Sequence, residues 1–175
     1  MNEVLKNIKT RRSIRNYTEA QIPSEDLNLI LEAGTYASSG MNKQSWKFTA
    51  IQNNEKLMEL AAAIKAELCL PEDKEYNFYK APSLIIVSDD RNSKNGHLDC
   101  SAALENIFLA AHSLGIGSCW INQLGVTCDT PQIRSILTSY GIPETHVVWG
   151  SSTLGYAASE AVAPERKKHT ITIIK

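Results

Sequence analysis

Three arginines fall within five positions of the stretch TRRSIRNY, Thr10 to Tyr17: Arg11, Arg12 and Arg15, set around Ser13. Guanidinium groups bind phosphate through paired hydrogen bonds, and a neighbouring serine hydroxyl adds a short-range donor. The cluster is either an anion clamp or a solvated charge run at a helix end, where the macrodipole welcomes cations without any ligand. Three arginines alone do not separate the two. The rest of the chain makes the question sharper. Its 18 basic and 19 acidic residues leave a formal net charge of -1, so bulk charge gives no reason to expect a nucleic-acid or membrane partner.

Four further stretches carry reactive or ligand-reading side chains. ASSGMNKQSWKF offers Ser38, Ser39, Gly40 and the amides of Asn42 and Gln44, which suit the edge of a planar heteroaromatic ring. Ser, Gly and Asn are equally ordinary turn formers. YNFYKAPSLIIV sets Asn77 and Lys80 just before an apolar run, where an isolated lysine is commonly solvated. GIGSCWINQL brings glycines and then Trp120, Ile121 and Asn122; a tryptophan there reads first as packing. PERKKH adds Arg166, Lys167 and Lys168, by itself a solvated run. Cys69, Cys100, Cys119 and Cys128 show no C-x-x-C spacing and read as buried or idle thiols. His97, His112, His146 and His169 are scattered, so no metal site is expected.

The elements between these stretches must position them. A chain of 175 residues, 43% hydrophobic and 21% charged, suits one globular domain spanning 1–175. No stretch approaches the roughly 18 apolar residues that span a bilayer, and no signal-peptide pattern opens the chain; a cytoplasmic location is expected. Helical spacing marks NEVLKNIKTR, with Asn2 as cap, and PSEDLNLILEAGTYAS, with Ser24 as cap. NEKLMELAAAIKAELCL reads as a third helix closed by Pro71, and HLDCSAALENIFLAAHSLGIGS as a long central one. CDTPQIRSILTSYGIP has Thr130 as cap, Pro131 at the first helical position and Gly141 at its end. WKFTAIQ, SLIIVSDD and THVVWGSSTLGYA read as strands, and SCWINQLG as a strand or loop. Long helices separate these strands, which argues an α+β fold with helices on one modest sheet. TITIIK alternates like an edge strand far from the last core strand, free to pair with another subunit.

Taken in order, these stretches resemble the nitroreductase family of FMN-dependent oxidoreductases in its short form. RRSIRNY resembles its N-terminal flavin-binding motif, and SSGMNKQSWKF its second motif. GIGSCWINQL is similar to its loop against the isoalloxazine, and LGYAASEAVAPERKK to its closing segment. Two departures stand out: Ser45 follows Gln44 where the family often has proline, and Asn122 takes the place of a frequent acidic residue. The resemblance implies helices around a small, mostly antiparallel sheet, the C-terminal strand joining the partner's sheet, and a homodimer with FMN sites at the interface.

It also implies roles. Arg11, Arg12 and Ser13, with Arg166 and Lys168 taken over Lys167, hold the phosphate and ribityl chain. Arg15, Lys80 and Asn77 lie toward the pyrimidine side of the ring. Ser38, Ser39, Gly40 and Asn42 come from the partner, and Trp120, Ile121 and Asn122 cover the ring near N5. A phosphate monoester carries about two negative charges, and cations near the ring are the protein's lever on flavin electronics. No protein nucleophile, acid or base is implied. NADH or NADPH is the implied reductant, with a nitroaromatic, quinone or similar electron-poor compound as acceptor. The alternatives are a flavin-binding or flavin-handling protein with little turnover, and a specialised flavin-fragmenting or dehalogenating enzyme.

Overall fold

The computed structural model describes residues 1–168 and 170–175; His169, one of the scattered histidines, lies outside them. Its centre is β2, Ser83–Asp90, whose run of apolar and β-branched residues is buried on both faces. Strict alternation sorts that run. Leu84 and Ile86 belong to one core layer, Ile85 and Val87 to the other. With β1 (Lys47–Ile51), β3 (Gly117–Ile121) and β4 (His146–Gly155) it makes a four-stranded sheet in the order β1-β2-β4-β3. All three pairings are antiparallel, so β1 and β3 are the edges.

Six α-helices among the described residues cover the sheet: α1 (Glu3–Thr10), α2 (Ser24–Thr35), α3 (Asn54–Glu67), α4 (Gly96–Ser113), α5 (Gln123–Thr127) and α6 (Pro131–Ser139). One layer packs Leu57, Leu60 and Ile64 of α3 with Leu124 of α5 and Ile133 and Leu137 of α6. The other packs Leu27 and Ile30 of α2 with Leu104, Ile107 and Phe108 of α4. The fold is α+β, as expected from the element order.

Local chemistry explains most boundaries. Asn2 Oδ1 accepts the Leu5 N–H at 2.9 Å and starts α1. Asn53 does the same for α3, accepting the Lys56 N–H at 3.0 Å. Pro131 opens α6, and Gly141, at φ 81, follows its end. Two expectations need correction. Ser24 is the first helical residue of α2, and the cap position is Pro23. The left-handed Cys69 (φ 49) closes α3 before Pro71 is reached, with the Leu70 N–H on the Lys65 carbonyl at 3.1 Å. The TITIIK segment, residues 170–175, is exposed and pairs with no strand of its own chain among the described residues.

Candidate functional site

The arginine cluster is fixed by the end of α1 and the start of β3. Arg11 ends the helix, its N–H on the Asn7 carbonyl at 3.0 Å, and the chain then runs extended. Ser13 pairs with Ser118 in a parallel bridge, and the Ile14 N–H donates to the Ser118 carbonyl at 2.9 Å. This contact brings Arg11, Ser13 and Arg15 around the buried Cys119. Burial pushes the Cys119 thiol up, against the downward pull of Arg15, Ser13 and Arg11. The guanidinium of Arg11 also stands 5.6 Å over the Phe108 ring.

Arg12 behaves differently. Its Nη1 donates to the Lys9 carbonyl at 2.8 Å and to the Arg11 carbonyl at 2.6 Å, closing the C-terminal end of α1. Part of the solvated-run reading therefore holds for this one arginine. Arg11 and Arg12 nevertheless border an open cavity of about 450 Å³ with Thr10, His112 and Ser118. The Ser118 hydroxyl, on a residue only 2% exposed, has no hydrogen-bond partner among the described residues. Burial, then Arg11 and Arg12, lower the His112 pKa from its ordinary 6.5.

A second group lies on loop 38–45. The Gly40 N–H donates to both carboxylate oxygens of Asp99, at 3.0 and 3.1 Å. Asn42 Oδ1 accepts from Gln44 Nε2 at 2.8 Å. Met41, Asn42 and Gln44 are left-handed, at φ 56, 55 and 48. This group is tied to the beginning of α4 at Asp99, whereas the arginines meet its end at His112, whose Nε2 is hydrogen-bonded to Thr10 at 2.8 Å. At 1.5 Å per residue the two anchor points are about 20 Å apart along the helix.

The third group surrounds a turn before β2. Phe78, Tyr79 and Lys80 are all left-handed, at φ 52, 59 and 59. Asn77 Nδ2 donates to Glu75 Oε1 at 2.7 Å, and Lys80 lies 4.0 Å from the same carboxylate. Asn77 and Ile121 border one cavity of about 240 Å³ with Tyr76, Tyr79 and Gln123. Asn122 follows β3 at the start of α5, and Trp120, 37% exposed, stands 6.0 Å from Phe108. Arg166 and Lys168 are exposed on the extended segment beyond the Tyr17–Ala157 bridge, and the single chain brings them to none of these groups.

Sequence reasoning passed over Ser118, Asp89 and Asp99. Asp99 had one visible signal: a carboxylate in a helix that is apolar or small on nearly every side. Among the described residues, no group of three or more His, Cys, Asp or Glu is placed to hold a metal ion, and no helix is long and apolar enough to cross a membrane.

Among the described residues, six α-helices cover a four-stranded antiparallel sheet and the strained turn 77–80 borders a small cavity; comparison with known proteins supplies the family. The profile of the nitroreductase family matches residues 8–156. A protein of Archaeoglobus fulgidus, assigned as an NADH dehydrogenase/NAD(P)H nitroreductase, is 38% identical over 164 residues, which cover 91% of this chain and 88% of that one. The crystal structure of a nitroreductase with bound FMN from Bacteroides fragilis is 50% identical, covers 100% of both chains and superposes with a TM-score of 0.93. An FMN-bound nitroreductase from Desulfitobacterium hafniense is 32% identical, again over 100% of both chains, with a TM-score of 0.90. The chain belongs to the nitroreductase family.

Proposed function

We propose that residues 1–175 form one FMN-binding oxidoreductase domain that passes hydride from NADH or NADPH to a nitroaromatic, quinone or similar electron-poor acceptor. The observation that carries this reading is the placement of backbone strain. Left-handed non-glycine residues persist only where surrounding structure imposes them, and they cluster at ligand sites. Of the seven among the described residues, Met41, Asn42, Gln44, Phe78, Tyr79 and Lys80 fall in two segments read from sequence as cofactor-binding; Cys69 is the seventh.

The residues present also suit the cofactor. Arg11 and the unpartnered Ser118 hydroxyl share a cavity that would take a phosphate or polyol oxygen. When bound, FMN supplies the redox chemistry, accepting hydride at N5 from the nicotinamide and returning it to the acceptor. Arg11, Arg12 and Ser13, with Arg166 and Lys168, hold its phosphate and ribityl chain. Arg15, Lys80 and Asn77 bring charge and amide donors to the pyrimidine side, and Trp120, Ile121 and Asn122 cover the ring.

Ser38, Ser39, Gly40 and Asn42 come from a second copy of the chain, because their anchor on α4 lies far from that of the arginines. A homodimer also covers the exposed apolar side chains of α1, Val4, Leu5 and Ile8, and those of the C-terminal arm, Ile171, Ile173 and Ile174. That arm is long enough to add a strand to the partner's sheet. Four unpaired cysteines suit a reducing compartment, the cytoplasm.

Purified protein is expected to be yellow and to bleach quickly when NADH or NADPH is added without oxygen. Colourless protein that cannot be reconstituted with FMN sinks the reading. Bound FMN that stays oxidised with both nicotinamides makes the chain a flavin-binding protein instead. Arg11→Ala should weaken FMN retention by roughly 1.5–3 kcal/mol, the loss of one charge-assisted hydrogen bond. Retention equal to wild type removes Arg11 from the phosphate site.

A further inference from the structure

Two carboxylates are buried beside loop 38–45 with no cation paired to them among the described residues. Asp89, near the end of β2, is 0% exposed, and Asp99, in the first turn of α4, is 7% exposed. The ion pairs among the described residues join Lys80 to Glu75, and Arg91 and Arg134 to Asp129. Burying a carboxylate is unfavourable unless donors surround it, and buried ionic groups add little stability over well-packed apolar ones. Their presence calls for another reason.

The loop supplies a donor to each. Asp99 receives the Gly40 N–H on both oxygens, at 3.0 and 3.1 Å. Asp89 Oδ2 receives the Ser45 hydroxyl at 3.0 Å, and its Oδ1 receives the Asp90 N–H at 2.7 Å. These contacts bracket the left-handed residues Met41, Asn42 and Gln44. The loop's other hydrogen bonds run within itself, from the Asn42 N–H to the Ser39 carbonyl at 3.0 Å and from the Gln44 N–H to Ser39 Oγ at 3.2 Å. Internal bonds of this kind can be exchanged for water; the two buried carboxylates fix the loop to the fold. A Cβ on Gly40 would overlap the Asn95 side chain, so loop and helix are in close contact as well.

We propose that Asp89 and Asp99 are positioning residues for cofactor binding, clamping loop 38–45 at both ends in the shape that presents Ser38, Ser39 and Asn42 to the partner subunit's FMN. This rests on the FMN reading above. The dependence is mutual. Lifting the loop strips Asp99 of the Gly40 N–H and leaves Asp89 with the Asp90 N–H alone, and removing a carboxylate frees the strained loop to relax. Ser45 is thereby given a task that a proline at the same position could not perform, because proline has no hydroxyl to offer Asp89.

The test compares Asp99→Ala, Asp99→Asn and Ser45→Ala in the full-length protein, reading FMN dissociation by flavin fluorescence and exchange of the Gly40 amide by NMR. Asn can still accept the Gly40 N–H, so Asp99→Asn should bind FMN within about threefold of wild type, while Asp99→Ala should bind about tenfold or more weakly, as expected for loss of a hydrogen bond to a charged group. Gly40 exchange should accelerate in Asp99→Ala and stay slow in Asp99→Asn. A carboxylate that serves only stability would lower the melting temperature and leave both readouts of the folded protein unmoved, which overturns the proposal. If Asp99→Ala does not fold, Ser45→Ala decides: weaker FMN binding supports the clamp, and wild-type affinity overturns it. Wild-type protein that takes up no FMN removes the parent reading and the clamp's role together, whereas wild-type uptake with unaffected variants removes the clamp alone.

Discussion

Loop 38–45 and turn 77–80 each hold three non-glycine residues in the left-handed region, and their anchors differ in kind. The loop is tied by polar contacts, the Gly40 N–H on Asp99 and the Ser45 hydroxyl on Asp89. The turn is tied by an apolar one. Phe78, 3% exposed, sits in the core beside Ile86 and Ile121, and the Lys80 N–H closes on the Asn77 carbonyl at 2.9 Å. Hydrogen-bonded anchors fix direction as well as distance, while a buried ring fixes depth and tolerates some rotation. In the homodimer proposed above, the loop offered to the second chain has the directional anchor. The turn proposed to serve its own chain is plugged into the core.

The hardest way to break this contrast is to remove the plug. Phe78→Ala should destabilise the fold by about 3–5 kcal/mol, the range for deleting a buried phenylalanine ring. Urea denaturation monitored by tryptophan fluorescence measures it. A loss below about 1 kcal/mol would mean that the turn is held by its backbone hydrogen bonds and that the two segments are alike.

A gentler comparison relieves the strain itself. Met41 is 90% exposed and left-handed, so Met41→Gly removes a steric penalty and little packing. It should stabilise the protein by about 1 kcal/mol, since glycine adopts this region freely and other L-residues do so at a penalty of roughly 1–2 kcal/mol. Tyr79→Gly relieves the same penalty in the turn but also gives up the contacts of a ring that is 40% exposed, against 90% for Met41, so its gain should be smaller or absent. Equal gains in thermal melts would show that the ring of Tyr79 contributes nothing to its turn.

Neither left-handed segment was visible as such in the sequence. Turn prediction leans on glycine, and Phe78, Tyr79 and Lys80 carry no such signal. Elements governed by local chemistry were readable: β2 from its β-branched run, α1 from the Asn2 cap, α6 from Pro131 and Gly141. Elements governed by distant partners were not. Asp99 bonds to Gly40, 59 positions away, and no spacing rule links them. The bonds of Arg12 to the Lys9 and Arg11 carbonyls were not legible either, because partners so near in sequence do not stand out as a target. The short α5 was read only as the tail of a strand or loop, since five residues give the helical period too little length to appear.

The smallest expected effect bears on a third region, the arginine end of α4, which neither strained segment touches. Burial, then Arg11 and Arg12, lower the His112 pKa below 6.5, so the unfolded chain takes up a proton that the folded chain resists. Stability contributed by this group therefore rises with pH between the depressed folded value and about 6.5, and is level above it. His112→Gln should flatten that rise, leaving wild type and variant equally stable at pH 8 and the variant relatively more stable at pH 5, by denaturant midpoint. A phosphate held by Arg11 and Arg12 would offset their charge and raise the His112 pKa toward its ordinary value. The difference between wild type and variant should then shrink when FMN is bound. A difference of the same size with and without FMN would place the phosphate away from Arg11 and Arg12, and return both to the helix end.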